Sequence, residues 1–106
     1  CSVFIEVNKM NYDRKLQELL THCASVGTHV KFVSKDVLKD YMGMNSEAAK
    51  IMDFPMSSNS VYIYKSAKTK DQYFTLVHEL YEMTLIKDGY SYWDAHKKSL
   101  KLETKI

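Results

Sequence analysis

Long apolar runs are missing from this sequence. No stretch approaches the ~20 residues that a membrane-spanning helix needs, which argues against a membrane partner. Nor does any basic segment precede a short apolar core, so no secretory leader is read. An excess of either charge is missing as well: 15 Lys and Arg against 13 Asp and Glu leave a formal +2. So balanced a chain projects no strong field, which disfavours nucleic acid and acidic surfaces as partners. There is no internal repeat and no low-complexity tract. Cysteine occurs twice, at Cys1 and Cys23. Cys23 falls on the apolar stripe of a predicted helix, where a thiol packs as a small hydrophobe. Reduced thiols and a cytoplasmic setting are therefore expected over a disulfide. A lipid-anchored Cys1 would normally be followed by a polar tether, whereas a strand-like run starts at Val3, so the first residue reads as a trimmed end.

What is present fits one ordinary domain over residues 1–106 with one core. Val3-Phe4-Ile5-Glu6-Val7 is β-branched and apolar and reads as a first strand. Leu16, Leu19, Leu20 and Cys23 recur at helical spacing, with Asp13 in the expected first turn and Gly27 as the stop. His29-Val30-Lys31-Phe32-Val33 alternates and reads as a second strand. Short helices are expected through Val37, Leu38 and Tyr41, and through Ala48, Ala49, Ile51 and Met52. Asp53 to Asn59 holds the only proline and reads as a loop.

Beyond it the pattern sharpens. Ser60-Val61-Tyr62-Ile63-Tyr64 alternates as a third strand. Thr69 with Gln72 three residues on suggests a capping box and a helix start. Phe74, Val77, Tyr81 and Leu85, widened by Leu76, Leu80 and Met83, form the stripe of that helix, and Asp88-Gly89 should end it. Ser91 with Asp94 opens a last helix carrying Trp93, His96, Leu100 and Glu103. The expected fold class is α+β, with about three strands packed on helices in the order β-α-β-(α)-β-α-α.

The chemistry concentrates in His78-Glu79-Leu80-Tyr81-Glu82. Residues four apart on a helix share a face, with Cβ atoms roughly 6 Å apart. An imidazole at 78 and a carboxylate at 82 can therefore hold one metal ion without strain. Glu79 is rotated by about 100° around the axis, wrong for a third ligand but within reach of a water at the metal. That is the logic of the H-E-x-x-H helix with its second His replaced by Glu. A catalytic zinc takes three protein ligands and keeps a fourth position for water. The third candidate is His96, brought back by a tight turn at Asp88-Gly89-Tyr90. Glu103, two turns beyond His96, could steady its imidazole or serve as an alternative ligand, but a salt bridge with a lysine is the preferred reading. Apolar neighbours on the same helix imply burial, and buried charges need a partner or a metal.

From Ser60 to Glu103 the chain resembles the active-site half of zincin metallopeptidases. It is similar to small archaeal and phage-encoded proteins of the minigluzincin type. The match runs through the strand Val61 to Tyr64, the helix with His78-Glu79-x-x-Glu82, then Gly89, Ala95-His96 and Glu103. The resemblance implies a zincin-like fold, His78 as ligand, Glu79 as general base, and an extended peptide bound along a strand beside the active-site helix. The sequence departs from the gluzincin pattern at Glu82, where that family has His, and at His96, where its third ligand is Glu. Zinc is the expected ion, and Fe2+ or another divalent metal suits the same donors.

The function expected is that of a zinc-dependent hydrolase, a small peptidase acting on a peptide or protein, with metal on His78, Glu82 and His96. The alternative is a non-catalytic zincin-like protein whose helix pair serves a structural metal or a protein interface. His22 and His29 have no acidic or Cys neighbours at ligand spacing and read as structural. Tyr90 and Tyr92 could stabilise an oxyanion, but packing at the helix junction with Trp93 is the preferred reading.

Overall fold

The stretch before Gly27 contains neither Gly nor Pro, and in the computed structural model it forms one helix, α1 (Ser2–Ser25). The backbone is described for residues 2–39 and 41–105, and side chains for residues 12–39 and 41–102. Val3–Val7, expected as the first strand, is therefore the start of a helix, and Asp13 lies in its middle. β-branched residues cost a helix well under 1 kcal/mol each. With no breaker before Gly27, that local preference does not interrupt the helix. Cys23 is buried and carries a free thiol, pushed up by its burial. Cys1 lies outside the described residues.

The remaining elements are β1 (His29–Val33), α2 (Lys35–Leu38), β2 (Gly43–Asn45), α3 (Ser46–Ile51), β3 (Ser60–Tyr64), α4 (Thr69–Lys87) and α5 (Tyr92–Lys105). Among the described residues the result is an α+β fold of five helices around a three-stranded mixed sheet, as expected. The membership of the sheet differs, because β2 takes the place given to Val3–Val7. α2 includes Val37 and Leu38 but ends before Tyr41, and Met52 caps α3. No helix among the described residues is long and apolar enough to cross a membrane.

The sheet order is β1-β3-β2, with β1 parallel and β2 antiparallel to β3. The strand expected beside the active-site helix, Val61 to Tyr64, is thus the central one, and β2 is an edge. Val61 and Ile63 are buried in a cluster with Leu16, Cys23, Leu76 and Met83, between the sheet, α1 and α4. Tyr62 and Tyr64 point to the opposite side, where Leu38, Met44, Ala48 and Ala49 form a second cluster. The register pairs Gly43 with Ile63 and Asn45 with Val61. Opposed residues share a face, so Gly43 and Asn45 look towards α4.

Close approach of β2 to α4 depends on Gly43. A Cβ there would lie 2.5 Å from Thr75 Cγ2 and 3.3 Å from Glu79 Cγ. α4 begins after Lys68 with no side-chain cap, so the expected capping box does not form. Thr69 is already inside the helix, and Gln72 Nε2 instead donates to the carbonyls of Tyr64 and Lys65, each at 3.2 Å. That ties the start of α4 to the end of β3. The other end follows expectation. Gly89 has φ +103, Gly89 N donates to Ile86 O, and Tyr90 N donates to Leu85 O, the paired bonds of a left-handed helix stop. Ser91 Oγ then accepts from Asp94 N at 3.2 Å and starts α5, which packs back along α4.

Candidate metal centre

α4 is buried on two faces. Leu76, Met83 and Leu85 are buried, and so are His78, Glu79 and Glu82. Glu82 is only 2% exposed, a position where a carboxylate is costly unless several donors or a cation compensate it. Its partners arrive from three elements. His78 Nε2, one turn back on α4, lies 3.1 Å from Glu82 Oε2. His96 Nδ1, from α5, lies 2.9 Å from the same oxygen. Asn45 Nδ2, from the end of β2, donates to Glu82 Oε1 at 3.1 Å. Burial alone would raise the Glu82 carboxyl, but the hydrogen bonds and positive charge of His78 and His96 outweigh it, and the group ends below its ordinary value. Glu82 is therefore an anion at neutral pH.

The turn at Asp88-Gly89-Tyr90 does what the sequence required of it. It carries His96 back to His78, with ring centroids 5.1 Å apart. His78, Glu82 and His96 each offer a ligand atom, all within 4.8 Å of one another. A tetrahedral zinc with bonds of about 2.0–2.2 Å would space such atoms by about 3.4 Å. The contacts here bracket that spacing, and a donor set of two imidazole nitrogens and one carboxylate oxygen suits a divalent metal.

Glu79 stands outside this trio, as its rotation on the helix demands. Its Oε2 lies 4.0 Å from His78 Nε2, and its Oε1 accepts from Asn45 Nδ2 at 2.9 Å. Both carboxyls and both imidazoles line a cleft of about 790 Å³. Tyr41, Gly43, Met44, Tyr92 and Trp93 also line it. A smaller hollow of about 190 Å³ continues past Met42, Gly43 and Thr75.

Tyr92 stacks on the His96 ring, with centroids 5.6 Å apart and planes 17° from parallel. Its phenol is pushed up to about 12, by burial first and then by the charges of Glu82 and Glu79 and by Tyr41. It stays a proton donor at neutral pH, facing the carboxyl cluster. Tyr90 is exposed and accepts a cation–π contact from Lys98 at 5.5 Å, so the two tyrosines differ in role. His22 and His29 are exposed and stand outside the cluster. The side chain of Glu103 lies outside the described residues.

Asn45 and Gly43 were not legible as site residues. The one available signal for Asn45 was its position before Ser46-Glu47-Ala48, an N-cap pattern, and its Oδ1 does accept from Ala48 N at 2.9 Å. Comparison with protein-family models, with curated proteins and with solved structures found no match to this chain.

Proposed function

We propose that this chain is a small metal-dependent hydrolase of the zincin kind, cleaving peptide bonds. One observation carries the reading: two imidazoles and two carboxyls from α4 and α5 line one cleft, three at ligand spacing and the fourth beside them. The resemblance of the segment around His78-Glu79-x-x-Glu82 to minigluzincins points the same way.

His78, Glu82 and His96 would hold the ion, with zinc the expected metal and Fe2+ or another divalent cation compatible with the same donors. A cation held there supplies Lewis acidity, polarising a peptide carbonyl and acidifying water. Glu79 is the general base. Its Oε2 is turned towards the His78 side of the cluster, where it would take a proton from the attacking water and pass it to the leaving amine. The Tyr92 phenol, protonated at neutral pH, is available to donate to the oxyanion. An extended peptide can add to the outer edge of β2, since β2 ends the sheet and contributes Gly43 and Met44 to the cleft.

A second reading has support in the rim. Trp93 is 69% exposed and Ile51 57% exposed, both beside the cleft, as suits a protein contact around a structural metal. Quenched-fluorescent peptides incubated with the zinc-loaded chain discriminate the two. The hydrolase reading expects cation-dependent cleavage that falls by about 10²-fold or more in Glu79→Gln, with the bound zinc retained. A zinc-loaded chain that cleaves nothing, or that cleaves equally well as Glu79→Gln, would favour the structural reading.

A further inference from the structure

Asn45 is fully buried and is neither an acid, a base nor a member of the ligand trio. Its side chain nevertheless binds both carboxyls of the site. An amide offers one acceptor and two donor hydrogens, and all three are used. Oδ1 accepts from Ala48 N at the start of α3. That bond fixes which way the amide faces, with Nδ2 towards α4. Nδ2 then donates to Glu79 Oε1 at 2.9 Å and to Glu82 Oε1 at 3.1 Å. These two partners lie 34 and 37 residues along the chain.

We infer that Asn45 is the positioning residue of this site, holding one oxygen of each carboxyl so that the other oxygen of both turns to the same point. The opposite atoms bear this out. Glu82 Oε2 meets His78 and His96 at 3.1 and 2.9 Å, and Glu79 Oε2 approaches His78 Nε2 at 4.0 Å. With Oε1 occupied, Glu82 presents a single oxygen to the cation, and Glu79 keeps its second oxygen beside the ligands without joining them. No other short side chain performs both tasks. Asp would add a third carboxylate, Ser does not reach, and Leu would leave two buried carboxyls short of a donor. The role reaches back to the backbone, because β2 lies close enough for this contact only with Gly43 against Thr75. It rests on the cation site proposed above and not on hydrolysis.

Co2+ titration of the metal-free chain against a chromophoric chelator tests it, on the parent and on Asn45→Ser. Serine keeps a cap for α3 and removes both donors. The expected result is Co2+ affinity weaker by about 10–100-fold and an altered visible Co2+ spectrum, with a lower metal-free unfolding midpoint because two buried carboxyls each lose a donor. A variant that binds equally tightly with the parent's spectrum overturns the role of Asn45 alone. A parent that takes up no Co2+ overturns the cation site and this role with it. Should Asn45→Ser not fold, the Asn45 side-chain amide decides in the parent's NMR spectrum. Both its protons should exchange slowly and shift on adding Zn2+. Rapid exchange, or resonances that Zn2+ leaves unmoved, would overturn the inference.

Discussion

Replacing Glu82 by Gln changes one charge and almost no volume, at the point where three donors meet. In the metal-free chain two effects oppose each other. The charged hydrogen bonds from His78, His96 and Asn45 weaken, since bonds to an ionised group contribute about 1.5–3 kcal/mol and neutral ones about 1. The burial cost of a carboxylate that is only 2% exposed disappears, and isosteric removal of a buried ion is often close to neutral. The Gln oxygen can still accept from Asn45, leaving its NH2 to face the ring nitrogens of His78 and His96. Metal-free stability should therefore change by about 1 kcal/mol or less. With cation the expectation reverses. A site at a hundredfold excess over its dissociation constant stabilises the fold by about 2.7 kcal/mol, and for a domain of this size about 4 °C accompanies each kcal/mol. Zinc should raise the parent's midpoint by about 10 °C, and that rise should vanish in Glu82→Gln. Thermal unfolding with zinc and with chelator measures both halves. A Gln variant that keeps the zinc-induced rise would refute Glu82 as a ligand. One that unfolds far below the parent in chelator would refute the balance of burial against hydrogen bonding.

Gly43→Ala brings a Cβ to 2.5 Å from Thr75 Cγ2 and should cost about 1–3 kcal/mol; adding Thr75→Ser, which deletes that methyl, should recover part of it in denaturant titrations. Leu76→Ala empties a fully buried site under β3, so its midpoint should fall by about 10 °C or more, from a loss of about 2–5 kcal/mol. Acid unfolding in chelator should report Glu82. Its folded carboxyl lies below its ordinary value, so its contribution is complete above the unfolded value of about 4.3 and is lost as pH falls through the lower folded one. Glu82→Gln should accordingly lose less stability than the parent below about pH 4, and equal slopes would contradict the assignment.

The candidate ligands were legible because their geometry is local. His78 and Glu82 need only a helix, and His96 needs only the stop at Gly89 and the start at Ser91, both written in residues with one strong preference. Burial of the cluster followed from the apolar neighbours of His78 on α4. Three features were not legible. β2 has only Gly43, Met44 and Asn45 and lacks β-formers, and its place is fixed by pairing with β3 and contact with α4. Val3–Val7 misled because β-branching is a weak preference that an unbroken helix overrides. Thr69 and Gln72 matched a capping box, yet Gln72 is drawn away by the carbonyls at the end of β3. Asn45 belongs to the same class as β2. Its carboxyl partners are distant in sequence, and an amide with two remote acceptors leaves no periodic trace.

Zinc titration calorimetry on the metal-free chain, repeated on His78→Ala and His96→Ala, goes to the central claim. One equivalent bound by the parent and an affinity at least ~10²-fold weaker in each variant are expected. Zinc that fails to bind, or that binds all three proteins alike, would contradict it.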